Sequence, residues 1–132
     1  MNVNTYNPKD TTITIDGVYI TGLGEDMVGF EFDEERFESV TGAQGDVVVN
    51  ETNNNLATMT LTIQATSPQY AMCLDYARKG TTFPVWGVNK NVGERFGGTK
   101  ARFKNPAAVA YGTSLEDREF QIQVFDGVIE PA

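Results

Sequence analysis

The sequence predicts a mainly β fold: two packed antiparallel sheets, a sandwich or barrel-like arrangement, with one flanking α-helix and a long β-hairpin in a single domain over residues 1–132. Three observations carry this. From Ala57 to Ala65, the residues Met59, Leu61, Ile63 and Ala65 alternate with Thr58, Thr60, Thr62 and Gln64, the period of two expected when one sheet face is buried and the other wet. Asp16-Gly17 separates two short alternating runs and favours the tight turn whose twist suits a hairpin. Helical periodicity occurs only after Ser67-Pro68. A chain of 132 residues can bury one core, whereas two domains would each be too small to bury much surface.

Taken in order, Thr11 to Asp16 and Val18 to Thr21 form the first hairpin, with Ile13, Ile15, Val18 and Ile20 as its apolar residues. Gly22, Gly24 and Gly29 then bracket an expected loop carrying Glu25 and Asp26. A strand from Gly29 to Glu35 points Phe30 and Phe32 one way and Glu31, Asp33 and Glu35 the other. The alternation loses phase at Phe37, which predicts a bulge or strand end near Glu34 to Arg36. Gly42 to Gly45 reads as a turn, Val47 to Val49 as a strand and Glu51 to Asn55 as a polar connection, so this middle stretch is a long hairpin with an exposed tip.

Ser67-Pro68 reads as a helix start, with serine as cap and proline in the first turn. Tyr70, Cys73, Leu74 and Ala77 have the i, i+3, i+4, i+7 spacing of a buried stripe. Arg78 and Lys79 suit the negative end and Gly80 stops the helix. Phe83 to Val88 is strand-like, and Pro84, which cannot donate to a ladder, points to an edge strand. Gly93, Gly97 and Gly98 mark a turn. Lys100, Arg102 and Lys104 then alternate with Ala101 and Phe103, and Glu119 to Phe125 is the last clear strand, with Phe120, Ile122 and Val124 inward.

The formal charge is -8, which argues against gripping nucleic acid, since affinity for phosphates comes largely from cationic side chains. With no histidine and only Cys73, the chain has no internal disulfide, no zinc cluster of the usual kind and no Ser/His/Asp or Cys/His triad. Gly22-Leu23-Gly24 lacks the third glycine of a dinucleotide fingerprint, and Gly98-Thr99-Lys100 inverts the order a phosphate-binding loop needs. No acidic pair stands out as a general acid and base, so no catalytic residue, metal or cofactor is expected. The amino terminus lacks signal-peptide character and no segment is long enough to span a bilayer, which leads to an expectation of synthesis in a cytoplasm.

Charge is distributed in blocks. Residues 1–77 hold twelve acids and two bases, 78–104 one acid and seven bases, and 105–132 five acids and one base. A chain with separate acidic and basic regions can dock head to tail with its own copies, which closes into rings or runs on as filaments.

Tyr6-Asn7-Pro8-Lys9-Asp10, Thr12 to Gly22, the Gly42 to Val47 turn, Thr58 to Pro68, Ala101 to Pro106 and Asp117 to Val124 together resemble a family of bacteriophage structural proteins, the tail tube subunits of contractile-tailed phages. Gln44 and Phe120 depart from that pattern, standing where an acid and a tryptophan are expected. The resemblance implies two β-sheets with a flanking helix, six copies in a ring, and rings stacked into a hollow tube through which DNA passes without specific binding. It implies a place in the phage virion, partners in the tail sheath, the baseplate or tube initiator and the tape measure protein, no enzymatic activity and no membrane. On strand parity, Glu31, Asp33, Glu35, Thr58, Thr60, Thr62 and Gln64 are the candidates for the lumen. Within Ser39 to Thr52, the residues Ser39, Gly42, Gln44, Gly45, Asp46, Asn50, Glu51 and Thr52 are candidates for ring stacking. Lys100, Arg102 and Lys104 are candidates for an acidic neighbour or the sheath. Alternative readings are a tube initiator or terminator, a tube subunit of a contractile injection system, or a monomeric β-sandwich that binds a ligand or hydrolyses a glycan.

Overall fold

Period-two runs of β-branched and aromatic residues become ten strands in the computed structural model, which describes residues 1–132. These are β1 (Thr11–Ile15), β2 (Val18–Tyr19), β3 (Leu23–Phe32), β4 (Phe37–Thr41), β5 (Val47–Glu51) and β6 (Ala57–Ile63), then, after helix α1 (Tyr70–Lys79), β7 (Phe83–Asn89), β8 (Glu94–Phe103), β9 (Arg118–Val124) and β10 (Val128–Pro131). Eight strands form one antiparallel sheet in the order β2-β1-β7-β8-β9-β6-β3, with β10 beside the first half of β8. The remaining pair, β4 and β5, is a separate two-stranded antiparallel sheet. The chain is thus mainly β, with two antiparallel sheets and one helix.

The large sheet curls. Phe30 on β3 and Phe96 on β8 lie with ring centroids 5.7 Å apart, although three strand spacings, about 14 Å in a flat sheet, separate their strands. The outermost strands β2 and β3 are consecutive in the chain but do not pair with each other, so the curl stays open. Its inner face carries Ile13, Ile15, Ala57, Met59, Leu61, Ile63, Val85, Ala101, Phe120, Ile122 and Val124, all with no exposed surface. The expected alternation in β6 is complete: every second residue from Ala57 to Ile63 is buried. Asp16 and Gly17 both take positive φ, 53° and 79°, as a tight turn of type I′ requires.

Helix α1 covers the concave side. Cys73 is fully buried in the core, with the Tyr70 ring 6.1 Å from Phe120 and the Tyr76 ring 5.7 Å from Phe83. Gly80 ends the helix at φ 68° and its N–H donates to the Tyr76 carbonyl, as expected. The start differs: Gln69 is the N-cap and makes no side-chain cap bond. Ser67 instead sits one turn earlier, buried, with its hydroxyl donating to the Thr21 carbonyl at 2.6 Å. It pins the β2–β3 connection to the approach of the helix.

Four further expectations are corrected. The loop around Glu25 and Asp26 is part of β3, bulged between Leu23↔Ile63 and Val28↔Leu61 with Met27 at φ 44°. β7 lies inside the sheet, between β1 and β8. It tolerates Pro84 because the β1 ladder ends there and the β8 register slips between Phe83 and Val85. The Asp16 N–H still donates to the Pro84 carbonyl at 2.9 Å, and only the reciprocal bond, at the last position before the Asp16-Gly17 turn, lacks a donor. Gly93 does form the β7–β8 turn at φ 80°, but Gly97 and Gly98 are buried inside β8. Finally, the chain has one more strand, β10, after Asp126 bends it along β8; that carboxylate accepts from the backbone N–H groups of Thr99 and Lys100 and from the Thr99 hydroxyl.

Candidate assembly surfaces

Directly opposed residues in an antiparallel sheet share a face, so the register defines the outer surface of the curl. One row runs Glu31, Thr58, Gln123, Arg102 across β3, β6, β9 and β8. The next runs Gly29, Thr60, Gln121, with Lys104 just past β8 donating its N–H to the Gln121 carbonyl. A third pairs Thr62 with Glu119. Thr58, Thr60 and Thr62 are half-buried among longer polar neighbours, while Glu31, Lys100, Arg102, Lys104 and Gln121 are exposed. The result is a polar face four strands wide, backed by the apolar core.

Three sequence-derived sets meet here. The acids Glu31 and Asp33, the threonines and the bases Lys100, Arg102 and Lys104 belong to one continuous face, because β9 places β8 two strands from β6. Charge on it is mixed, with acids on the β3 flank and bases on the β8 flank, rather than uniformly acidic. Two candidates stand apart: Glu35 lies in the connection between β3 and β4, and Gln64 lies beyond β6, its N–H donating to the Gly22 carbonyl.

Asp33 ties the face together. Its carboxylate accepts from the Thr58 hydroxyl at 2.7 Å and from the Gln123 amide at 3.0 Å, and those two bonds, with Lys104 nearby, hold its pKa below the ordinary 3.8. A lowered carboxylate pKa adds stability that is present above the unfolded value and disappears as pH falls through the folded one. Asp33→Asn is therefore expected to lower the urea midpoint at pH 6, with the difference from the unsubstituted chain closing as pH is taken below 3.8. A pH-independent difference would show that the amide fails for steric reasons instead.

The β4–β5 hairpin projects from the end of β3. Every residue of both strands is exposed, including Val47, Val48 and Val49 at 59%, 60% and 52%. Register puts Phe37, Ser39, Thr41, Val47, Val49 and Glu51 on one side and Glu38, Val40, Val48 and Asn50 on the other, so both sides of the ribbon carry apolar side chains. At the tip the Gly42 N–H donates to the Asp46 carbonyl at 2.7 Å and Gly45 takes φ 92°; Ala43 and Gln44 complete the turn. At the root the Thr52 N–H donates to the Arg36 carbonyl, and the Arg36 guanidinium lies 5.7 Å from the Phe32 ring centroid. Ser39, Gly42, Gln44, Gly45, Asp46, Asn50, Glu51 and Thr52 thus lie on one arm.

Two clusters were missed by the sequence reading. Arg118 is 1% exposed; it donates to the Tyr70 hydroxyl and the Glu116 carbonyl and lies 5.8 and 5.2 Å from the Tyr70 and Tyr111 ring centroids. It clamps the segment before β9, where Tyr111 itself is exposed. A signal existed: Arg118 shares the inward parity of Phe120, Ile122 and Val124. The other cluster is Arg95, stacked 4.1 Å from the Trp86 ring centroid and paired with Glu130 of β10; without β10 it could not be found.

No three His, Cys, Asp or Glu side chains are grouped so as to hold a metal ion. Burial pushes the Cys73 thiol up to about 12, which keeps it protonated and unreactive at neutral pH. No helix is long and apolar enough to cross a membrane. The molecule presents a polar sheet face and an exposed arm.

No family model matches the sequence, and no curated protein matches it. Solved structures do match the fold. A chain in the cryo-EM structure of the sheath/tube terminator of PVC, an extracellular contractile injection system, in its extended state superposes with TM-score 0.66 at 8% identity, over 97% of this chain and 98% of that one. A chain of the PVC sheath-tube complex in the extended state gives 0.64 at 9%, over 92% and 88%. The tube-terminating cap of the anti-feeding prophage gives 0.62 at 10%, over 100% and 95%. The fold is shared over most of the length of each of these chains.

Proposed function

We propose that the chain is a structural subunit of a phage-like contractile tail tube: copies close into hexameric rings, the rings stack, and the polar face across β8, β9, β6 and β3 lines a lumen that conducts DNA during ejection. The β4–β5 hairpin carries this reading. A two-stranded ribbon is marginally stable at best in water, and one with valines on both sides gains from being covered by protein. A second or stacked copy supplies that cover, and Ser39 to Thr52 is the ring-stacking contact. The open edges of the curled sheet point the same way, since unpaired strand edges are stable surfaces only when paired or protected. The shared fold with chains from sheath-tube and terminator structures supports the reading. In this setting the sheath, baseplate or tube initiator and tape measure protein are its partners, its place is the virion, and no enzymatic activity is involved.

A second reading is a terminator that caps the tube rather than extending it. The two structures described as a terminator and a terminating cap are covered over 98% and 95% of their own chains, against 88% for the sheath-tube chain. Electron microscopy of the purified protein over a concentration series separates the cases. A tube subunit is expected to give rings and long tubes; a terminator stops at single rings. Protein that stays monomeric at every concentration would overturn both.

A further inference from the structure

We propose that the two flanks of the polar face are complementary halves of one seam: the basic flank on β8 of one copy receives the acidic hairpin root of a second copy. This rests on the assembly reading above and names the surfaces that meet.

Lys100 and Arg102 lie on β8 and Lys104 immediately after it. All are exposed and none forms an ion pair within the chain. On the opposite flank, residues 33–51 hold six acids and one base. Glu34, Glu35 and Glu38, where the hairpin leaves β3, are likewise exposed and unpaired. Inside one molecule Lys104 reaches across to the Thr58 hydroxyl at 3.4 Å, which in turn donates to Asp33, but no base forms an ion pair with Glu34, Glu35 or Glu38. The β3 end and the basic stretch lie at the same level of the sheet, since Phe32 opposes Ala57, Ala57 opposes Val124 and Val124 opposes Ala101. β7 pairs with β8 only as far as Ala101, so Arg102 and Lys104 project past it, and side-by-side copies in a common orientation set this basic end of one against the acids of the next. Reversing one copy sets like charge against like, which disfavours that contact. The charge pattern thus enforces head-to-tail order, the kind of contact that closes into a ring.

The seam also sets the charge of the face it borders. With the bases neutralised by a neighbour, the charged groups left on the four-strand face are the acids Glu31, Asp33 and Glu119. A mixed monomer face becomes an acidic one on assembly, which suits the passage of a polyanion without adhesion.

Charge exchange tests this. One variant carries Lys100→Glu, Arg102→Glu and Lys104→Glu; another carries Glu34→Lys, Glu35→Lys and Glu38→Lys; a third carries all six. Circular dichroism establishes that each is folded, and light scattering with electron microscopy reads assembly. Each half-reversed variant is expected to raise the assembly threshold at least about tenfold, while the six-fold variant assembles with itself and is excluded from particles of the unsubstituted chain. Half-reversed variants that assemble at the original threshold would overturn the seam while leaving the assembly reading intact. So would a folded six-fold variant that fails to regain assembly. If the unsubstituted chain never assembles, it is the assembly reading that falls, and the seam with it.

Discussion

Excising the β4–β5 hairpin is expected to leave a folded chain that no longer assembles. The excision point is set by the ladder: the Asp33 N–H donates to the Leu56 carbonyl at 3.0 Å, so Asp33 and Leu56 face each other across the β3–β6 pair. Replacing residues 34–55 with Asn-Gly joins them through the two-residue turn that suits a hairpin-bonded pair. No residue of β4 or β5 is buried, so the core side chains stay in place. The excised stretch also takes away the Asn55 carbonyl, which accepts from the buried Gly127 N–H at 2.9 Å, and the Asn54 side chain, which accepts from the Leu56 N–H. The chain also sheds a long loop whose closure costs entropy that grows with its length. Stability is expected to fall by about 1–3 kcal/mol, the cost of leaving the Gly127 N–H without its acceptor, which a domain of typical stability survives folded. Assembly is expected to be lost entirely. A thermal melt followed by circular dichroism reads the first, and size-exclusion chromatography with light scattering the second. Rings or tubes formed by the excised chain at the original concentration would make the hairpin a solvated appendage and remove the main support for the proposed function.

How far the sequence reveals this molecule depends on whether a feature is local. Alternation in β6 and β9, the Asp16-Gly17 turn and the Gly80 helix stop are set by neighbouring residues and were legible. Pro84 misled because its missing donor is harmless only where β1 ends and β8 slips register, facts about two other strands. Gly97 and Gly98 looked like turn residues because a turn and a close backbone approach both call for the smallest side chain. The site was legible in parts and illegible as a whole. Parity put Glu31, Thr58 and Arg102 each on a wet face, but only the pairing of β3 with β6, β6 with β9 and β9 with β8 makes it the same face. Arg118 shows a different limit: its inward parity was readable, yet a buried cation is expensive unless partnered, and Tyr70, whose hydroxyl accepts from it, comes from the helix 48 positions earlier.

Gly97 carries the largest expected effect on stability. Its φ of 139° lies where residues with a Cβ are strained, a cost of about 1–3 kcal/mol. Space is tighter still: a Cβ there would stand 2.1 Å from the Val85 carbonyl oxygen and 3.1 Å from the Trp86 Cα. Both are backbone atoms, so no side-chain rotation relieves the collision and β7 must separate locally from β8. The consequences spread, since β8 pairs with β7, β9 and β10 and Trp86 carries the stacked Arg95. Gly97→Ala is expected to cost at least about 4 kcal/mol, a large share of the 5–15 kcal/mol typical of a domain, and to drop the melting temperature by on the order of 10 °C or more. Gly29→Ala is the matched control, a strand glycine at which nothing lies within 4 Å of the added Cβ; it is expected to be neutral or slightly stabilising through reduced freedom of the unfolded chain. Equal urea midpoints for the two variants would mean that β7 and β8 do not approach as closely as described. The polar face would lose its rigid backing with them, because Arg102 and its neighbours keep their register with β9 only while β8 is held on both sides.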